Sequence, residues 1–257
     1  MKKKRLVVVI PARMAASRFP GKPLAKILDL PLVEHVRRRV QLSDVVDDVY
    51  VATCDQEIMD EVKGFGGQAI MTANTHERCT DRVEEAVKNI KADIVVIVQG
   101  DEPLFMPEVV AHIAQPLIDD DTIQCTSLLS EIKNKEDLKD IDIVKAVVSS
   151  NNDVLYFSRS PIPYFRVEAP CPMYRQTGIS AFTKDFLIKF TNMAPTPLEV
   201  VESVDFLRIL QHGHKIRGVV ISQETFGVDR PDDVGVIENV LRKDKVQRDY
   251  YERILKL

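Results

Sequence analysis

The sequence predicts an α/β fold with a mostly parallel sheet. Short apolar runs rich in β-branched residues, such as Leu6–Ile10 and Ile94–Val98, are typical of buried strands. Stretches with helical periodicity separate successive runs, and this alternation is the pattern of βαβ units. The chain has 257 residues and 45% hydrophobic content, enough to bury the core of one large domain. We therefore predict a single domain over residues 1–257, with an excursion at about 150–212.

The first half of the chain carries the clearest elements. Strands are predicted at 6–10, 49–53, 69–71, 94–98 and 123–129. Helices are predicted after Pro31, where Val33, Val36 and Val40 share one face, after Asp55, over 81–90 and over 107–118. Asp55 is placed to cap the second helix, and the glycines at 64, 66 and 67 end it.

The alternation breaks at 150–177, where prolines and aromatic residues are interleaved. The aromatic residues are Tyr156, Phe157, Tyr164, Phe165 and Tyr174. Because exposed aromatics at this density are unusual on a monomer, we predict an arm at about 154–175 that packs on a second copy in a homodimer. The alternative is an excursion that packs on its own chain. A long helix over 197–212, a strand over 216–222 and a closing helix capped by Asp232 follow.

Composition limits the classes of partner. The net charge of −4 comes from mixed signs throughout the chain, so a basic face for a nucleic-acid polymer is not expected. The four cysteines lie far apart, which argues against a zinc site and a disulfide framework. The apolar run after the basic start is too short for a signal peptide or a membrane span, so we expect a cytoplasmic protein without membrane contact. The histidines lack a convincing catalytic setting, and we expect them, His35 included, at the surface.

Three cations follow the first strand in "VVVIPARMAASRFPGKPLAKI". Arg13, Arg18 and Lys22 lie among small residues, just past the carboxyl end of a buried strand. This is the edge at which open α/β sheets bind ligands. Small side chains let backbone N–H groups approach phosphate oxygens, and the cations offset phosphate charge. The loop therefore predicts a site for a small anionic ligand.

Two acidic segments also follow predicted strands. In "IVVIVQGDEPL", Asp101 and Glu102 come directly after the most apolar strand, and Gly100 permits a sharp turn. In "FGVDRPDD", Asp229 follows the strand at 216–222. Carboxylates at this edge are suited to magnesium, which takes a few oxygen ligands together with substrate phosphates. Taken alone, an acidic pair in a turn is more often part of a solvated loop or a helix cap, and Asp229 could simply precede a proline turn.

The motifs as a set resemble a known family. They are "IPARMAASRFPGKPL", "VQGDEPL", "LYFSRSPIPYF", "APTPLEVVESVDFLRIL" and "GVDRPDD", spread over roughly residues 5–242. Together they resemble 3-deoxy-manno-octulosonate cytidylyltransferase, also called CMP-Kdo synthetase. The resemblance implies a Rossmann-like three-layer α/β fold, a homodimer, and CTP with Mg²⁺. It also implies in-line attack by the anomeric hydroxyl of a 2-keto-3-deoxy sugar acid on the α-phosphate of CTP, with release of pyrophosphate.

The resemblance also assigns residues to the nucleotide site. Asp101 and Asp229 match the aspartates that hold magnesium, and Arg13 and Lys22 join them as catalytic residues that offset charge on the leaving pyrophosphate. The nucleotide-binding residues implied are Pro11, Ala12, Arg13, Ser17, Arg18, Lys22, Ala52, Thr53, Thr80, Asp81, Arg82, Gln99 and Asp101. Two departures from the family pattern occur here. Arg78-Cys79-Thr80 stands where Ser-Gly-Thr is usual, and Cys54 splits a Thr-Asp pair, which a one-residue bulge could absorb.

Larger departures lie where the family binds the sugar. Gln176, Ser180 and Phe182 replace a histidine and two tyrosines, and Asp205-Phe206 replaces a Glu-Gln pair. The implied acceptor-binding residues are Arg78, Arg159, Arg175, Gln176, Ser180, Phe182, Glu199, Glu202, Asp205 and Phe206. Lost hydroxyl partners favour an altered acceptor, whereas sequence drift would leave Kdo as the substrate. Kdo is the leading acceptor, with a modified Kdo, another ulosonic acid or a phosphonate as alternatives.

Two rival functions remain open at the level of sequence. A sugar-1-phosphate nucleotidylyltransferase shares a basic loop after its first strand but uses a phosphate acceptor. A nucleotide-binding regulatory protein would keep the pocket without turnover. The two acidic segments favour catalysis, because a regulator needs no metal at the α-phosphate.

Overall fold

The computed structural model describes residues 3–15, 18–223 and 226–257. The chain divides into two compact units, Met1–His112 with Thr225–Leu257, and Ile113–Glu224. The second unit begins well before the excursion predicted at about 150–212. Strands and helices alternate as the sequence predicts, and the α/β fold class is confirmed.

The elements follow in chain order. The strands are β1 (Leu6–Ala12), β2 (Lys26–Ile27), β3 (Leu30–Pro31), β4 (Asp48–Thr53), β5 (Gln68–Met71), β6 (Ile94–Val98), β7 (Cys125–Glu131), β8 (Lys145–Val148), β9 (Val154–Ser158), β10 (Tyr174–Thr183) and β11 (Arg217–Ile221). The helices are α1 (Leu32–Gln41), α2 (Gln56–Gly64), α3 (Cys79–Val87), α4 (Val109–Asp119), α5 (Lys184–Thr191), α6 (Pro197–Glu202), α7 (Phe206–Gln211), α8 (Pro231–Lys243) and α9 (Lys245–Ile254). Short 3₁₀ helices occupy Lys22–Leu24 and Lys135–Lys139.

The first unit contains a parallel run of strands in the order β6-β1-β4-β5. The strands β1 and β6 are buried along their whole lengths, as expected of apolar β-branched runs. The pairing of β1 with β4 ends at Ala12 opposite Thr53. The carboxyl ends of these strands therefore lie at one edge of the sheet, where the cationic loop and the segment before α2 begin.

Helix α1 is buried on more than its predicted face. Val33, Val36 and Val40 are fully buried, and so is His35. The His35 ring stacks on Tyr251 of α9 with centroids 5.5 Å apart, and its Nε2 donates to the Ile27 carbonyl at 2.8 Å. The prediction of a surface His35 was wrong, because α9 covers the side of α1 that the sequence left open.

The second unit is built around β7. Strand β10 pairs with β7 in antiparallel register, and β11 pairs with β7 in parallel register. Strand β8 joins β10 and β9, both antiparallel. An aromatic cluster lies in the core of this unit, and its rings are Phe157, Phe182, Phe190 and Phe206.

Two predicted helices are interrupted. The expected helix over 197–212 divides into α6 and α7 at Ser203, which is left-handed with φ of 51°. Arg208 of α7 donates from Nε to Glu199 of α6 at 2.7 Å, and this buried ion pair holds the two short helices together. The closing helix likewise ends at Lys243, and α9 follows after Asp244.

The aromatic segment is partly packed within its own unit. Phe157 is fully buried, and Phe165 packs against Ile132 and Met173. Tyr164, in contrast, is 87% exposed. Some aromatics of the segment therefore pack on their own chain, whereas Tyr164 faces solvent.

In the described ranges, no helix combines the length and apolar character that crossing a membrane requires.

Candidate active site

The loop after β1 is held at Met14 from both sides. Its N–H donates to Asp55 Oδ2 at 2.7 Å, and its carbonyl accepts from Gly21 N–H at 3.0 Å. Gly21 has a φ of 73° and begins the 3₁₀ helix Lys22–Leu24. Glycine suits this left-handed position, where a Cβ costs free energy. This turn sets the direction in which the Lys22 side chain leaves the backbone.

Lys22 joins the two predicted acidic segments. Its Nζ donates to Asp101 Oδ2 at 2.7 Å and to the Val228 carbonyl at 2.8 Å, and it lies 3.8 Å from Asp229 Oδ1. Arg18 Nη2 donates to the same Asp229 oxygen at 3.2 Å. The side chain of Lys22 is 15% exposed, whereas those of Asp101 and Asp229 are 32% and 51% exposed. Two cations of the loop after β1 thus meet two carboxylates of the first unit that lie far from the loop, and from each other, in the sequence.

The backbone holds both aspartates in place. Val228 N–H donates to the Asp101 carbonyl at 2.8 Å, which ties the two acidic segments together. Gly100 allows the chain to turn close to β1, since a Cβ there would lie 3.1 Å from the Pro11 carbonyl oxygen. Asp233 Oδ2 accepts from the N–H groups of Asp229 and Arg230, each at 2.7 Å.

The cap of α8 differs from the prediction. Asp233 carries this role, while Asp232 is exposed in the first turn of the helix. The two residues are adjacent and carry the same side chain. Which carboxylate accepts from the N–H groups of Asp229 and Arg230 therefore depends on the direction of the helix axis. Asp233 was therefore missed as the residue that fixes the backbone of Asp229.

A cavity of about 370 Å³ opens beside these groups. It is lined by Pro11, Ala12, Arg13, Ala15, Arg18, Phe19, Lys22, Pro23, His76, Glu77, Arg78, Cys79, Arg82, Gln99, Gly100, Asp101 and Asp229. Most of the predicted nucleotide-binding residues are among them. The concentration of Arg and Lys side chains makes the cavity suited to a polyanion.

The predicted nucleotide-binding residues on β4 and α3 are mostly buried in the fold. Ala52 and Thr53 are fully buried at the end of β4, and the Thr53 hydroxyl accepts from Asp55 N–H at 3.1 Å. Thr80 is buried in the first turn of α3, and the half-buried Asp81 follows it. Arg82 lines the cavity with its Nη1 bonded to the Thr72 hydroxyl at 2.6 Å. Ser17 lies outside the described residues.

The two cysteine departures are accommodated without distortion. Cys79 is the first residue of α3 and so has helical backbone, and Gln99 Nε2 donates to its Sγ at 3.0 Å. Cys54 follows β4, whose pairing with β1 runs unbroken from Val7 opposite Asp48 to Ala12 opposite Thr53. The expected bulge is therefore not part of this strand pair as the structure describes it.

His76 is a cavity residue that the sequence analysis missed. Its ring is hydrogen-bonded to Glu85 of α3, and Ala73 N–H donates to the same carboxylate oxygen at 2.9 Å. The bond from Ala73 and the contact with His76 lower the pKa of Glu85. The position of His76 three residues before α3, among other polar residues, is a signal that could have identified it.

The predicted acceptor residues are spread over both units. Arg78 belongs to the first unit and lines its cavity. Phe182 and Phe206 lie in the aromatic core of the second unit, with ring centroids 5.7 Å apart. This corrects the expectation that they line an acceptor pocket. Aromatic side chains at these positions gain more by packing on Phe190 than by facing water.

Several polar residues predicted to bind the acceptor instead bond to other protein groups within the second unit. Arg159 donates from Nε to the Glu202 carbonyl and from Nη1 to the Ile141 carbonyl, both at 2.8 Å, and the Glu202 carboxylate accepts from Ser158 Oγ at 2.7 Å. Glu199 is committed to the ion pair with Arg208. Ser180 is buried, and Arg175, Gln176 and Asp205 are half-buried.

Comparisons with known proteins agree with this geometry. A family model described as cytidylyltransferase matches residues 7–216. A 3-deoxy-manno-octulosonate cytidylyltransferase of Geobacter metallireducens is 42% identical over 93% of this chain and 98% of its own length. The enzyme of the same name from Pelobacter propionicus is 41% identical over 89% of this chain and 94% of its own length.

Solved structures show the same relationship. A CMP:2-keto-3-deoxy-manno-octonic acid synthetase complexed with CTP superposes with a TM-score of 0.89 and 36% identity, over 93% of this chain and 99% of its own. A glucose-1-phosphate thymidylyltransferase from Bacillus anthracis reaches a TM-score of 0.67 at 13% identity, over 93% of this chain and 96% of its own, and therefore shares the fold alone. The resemblance noted in the motifs is confirmed, and the chain belongs to the 3-deoxy-manno-octulosonate cytidylyltransferase family of CTP-using nucleotidyltransferases.

Proposed function

We propose that this enzyme transfers CMP from CTP to the anomeric hydroxyl of Kdo and releases pyrophosphate. The observation that carries the proposal is the meeting of Lys22, Asp101 and Asp229 at a cavity lined by Arg13 and Arg18. Cations there suit a triphosphate, and carboxylates suit the divalent ion that accompanies it. The enzymes named for this reaction in Geobacter and Pelobacter support the choice of CTP and Kdo.

The cationic side chains divide the work on the triphosphate. Arg13 and Arg18 present planar guanidinium groups that bind two oxygens at once, whereas Lys22 is a compact point charge. Lys22 holds two carboxylates in the structure described here, and phosphate oxygens would offer it equivalent partners. These cations stabilise the negative charge that moves onto pyrophosphate as it leaves.

Asp101 and Asp229 fit the requirements of a magnesium ion. Their oxygens already converge on the Nζ of Lys22, so they can approach one cation together. Within the described residues there is no group of three or more His, Cys, Asp or Glu side chains that could hold a metal. Two carboxylates suit Mg²⁺, which keeps waters and substrate phosphates as its other ligands. Bound there, Mg²⁺ would supply positive charge at the reacting phosphate.

Kdo is favoured over the alternative acceptors by the location of two substitutions. Phe182 and Phe206 are two of the substitutions that favoured an altered acceptor, and both are buried in the aromatic core. Gln176 and Ser180 remain as polar substitutions. The modified Kdo, the other ulosonic acids and the phosphonate thus lose part of their support.

We place the reaction in the cytoplasm and assign the active form as a homodimer. The cysteines at 54, 79, 125 and 171 are free thiols, which are typical of a reducing compartment. The exposed side chains of Tyr164 (87%) and Val167 (73%), in the predicted arm, support burial against a second copy. Light scattering at micromolar concentration should give about twice the chain mass of 29.1 kDa. A mass equal to one chain would contradict the homodimer.

Pyrophosphate release tests the reaction. The purified enzyme with Mg²⁺ is offered each of the four NTPs together with Kdo, 8-amino-Kdo, a nonulosonic acid, a small phosphonate or a sugar 1-phosphate. We expect release with CTP and Kdo at the highest kcat/KM. Release with UTP or dTTP and a sugar phosphate would instead identify a sugar-1-phosphate nucleotidylyltransferase, and binding without release would identify a regulatory protein.

A further inference from the structure

Asp55 contacts the cationic loop instead of its own helix. It occupies the N-cap position of α2 with extended backbone, at φ of −111° and ψ of 125°. An Asp at this position ordinarily accepts a hydrogen bond from the first turn of its helix. Within the described part of the chain, the Asp55 carboxylate makes no such capping bond, and its Oδ2 accepts from Met14 N–H at 2.7 Å.

The strand pairing explains why these two residues meet. Ala12 and Thr53 are the last partners in the ladder between β1 and β4. Met14 and Asp55 each lie two residues further along, so the bond between them extends the ladder by a side chain. The position of Asp55 is itself fixed, because its N–H donates to the Thr53 hydroxyl at 3.1 Å. The end of β4 thus holds the start of the cationic loop through one carboxylate.

The neighbours of Met14 are the residues that face the ligand cavity. Arg13 and Ala15 both line it, on either side of the Met14 peptide. The Met14 carbonyl accepts from Gly21 N–H, so the same residue also ties the start of the loop to the turn before Lys22. A carboxylate close to a triphosphate site is unfavourable by charge alone. The hydrogen bond that the Asp55 carboxylate accepts from the loop backbone offsets this unfavourable charge.

We propose that Asp55 is a positioning residue for nucleotide binding, which acts by holding the Met14 peptide and, through it, Arg13 and Lys22. This inference rests on the proposed function, because the ligand of the loop is taken to be the triphosphate of CTP. It predicts a defect confined to the nucleotide. The affinity for CTP should fall while the KM for the sugar acid stays unchanged.

The test compares three variants with the wild type by titration calorimetry with CTP and Mg²⁺. In Asp55→Ser, a good helix cap is kept but the side chain is too short to reach Met14, and the Kd for CTP should rise about tenfold to a hundredfold. Asp55→Asn keeps an acceptor of the same length and should stay within about threefold of the wild type. Glu57→Gln removes an exposed charge from the same first turn and serves as the matched control.

Steady-state kinetics and hydrogen exchange complete the test. In Asp55→Ser, the KM for CTP should rise with little change in the KM for Kdo. Equal losses toward both substrates, or an unchanged Kd for CTP, would overturn the positioning role. In the wild type, the Met14 amide should be protected from exchange, and rapid exchange there would overturn the proposal even if the serine variant fails to fold. A wild type that binds no CTP would refute the proposed function instead.

Discussion

At the scale of single residues, the candidate site contains two carboxylates that contact one lysine. Asp101 is the more buried of the two and takes the shorter bond to Lys22, at 2.7 Å. Asp229 lies 3.8 Å from the same nitrogen and also accepts from Arg18. This asymmetry means that the two aspartates are not interchangeable, although both were predicted for the same role.

We predict that Asp101→Asn and Asp229→Asn each lower kcat by at least about a hundredfold, because each removes charge that would hold Mg²⁺ at the transferred phosphate. Asp101→Asn should be the more severe change. The measurement is kcat as a function of Mg²⁺ concentration, with thermal unfolding to verify the fold. Asp232→Asn, an exposed carboxylate in the first turn of α8, is the control. Full activity in both site variants would exclude the metal assignment.

His35 carries a prediction about stability and pH. Burial, together with the nearby charges of Arg39 and Arg38, lowers the pKa of His35 from 6.5 to about 4. The unfolded chain therefore binds a proton that the folded chain does not between these values. The contribution of His35 to the free energy of unfolding is therefore fully present above about pH 6.5. It falls by about 3 kcal/mol in total as the pH drops toward 4.

Urea unfolding at pH 7.5 and pH 4.5 tests this dependence. The variant His35→Gln keeps a donor for the Ile27 carbonyl but does not titrate, so its stability should change less over this interval than that of the wild type. Parallel pH profiles for the two proteins would show that other groups cause the acid sensitivity.

At the scale of elements, short turns decide where the functional side chains point. The 3₁₀ helix that carries Lys22 begins at the left-handed Gly21, and α8 begins beside Asp229 with the backbone bonded to Asp233. The contact of Asp233 was not predicted, because the sequence does not show whether Asp232 or Asp233 faces the start of the helix.

Gly21→Ala should lower both stability and activity. An added Cβ would meet Met14 Cε at 3.7 Å, an ordinary contact, so the cost comes from the left-handed backbone and amounts to about 1–2 kcal/mol. Relief of this strain would turn Lys22 away from the aspartates and reduce kcat. The matched control is Gly64→Ala at the end of α2, where the described structure places nothing within 4 Å of the new Cβ and where alanine should stabilise by about 0.5–1 kcal/mol. Chemical denaturation and kcat of both variants decide the outcome, and unchanged values in Gly21→Ala would contradict the role of the turn.

At the scale of the whole molecule, one hydrophobic cluster of the first unit lies behind the site. It contains Leu104, which follows the Asp101 segment, and Val228, which precedes Asp229. It also contains Ile237, Tyr251 and Ile254 from the two C-terminal helices. The cytidylyltransferase family model ends at residue 216, so these helices lie beyond the matched region. They nevertheless pack against both acidic segments.

The four parallel strands of the first unit, and the segments that follow them, could be predicted from the sequence, whereas the two-residue strands β2 and β3 could not. Apolar β-branched runs such as Ile94–Val98 are local signals, and their carboxyl ends must share an edge once the strands are parallel. The grouping of Arg13, Lys22 and Asp101 near one edge could therefore be predicted. The motifs added the family, which the comparisons confirm.

The partner of each polar or aromatic side chain, in contrast, depends on the tertiary structure. Asp55 bonds the cationic loop although its sequence position favours a helix cap, and His35 is buried because a helix more than 200 residues later covers it. Phe182 and Phe206 were expected to face a substrate, yet they pack together in a core. The physical reason is that a strand follows from the pattern of its own residues, whereas burial and hydrogen-bond partners depend on elements far away in the chain.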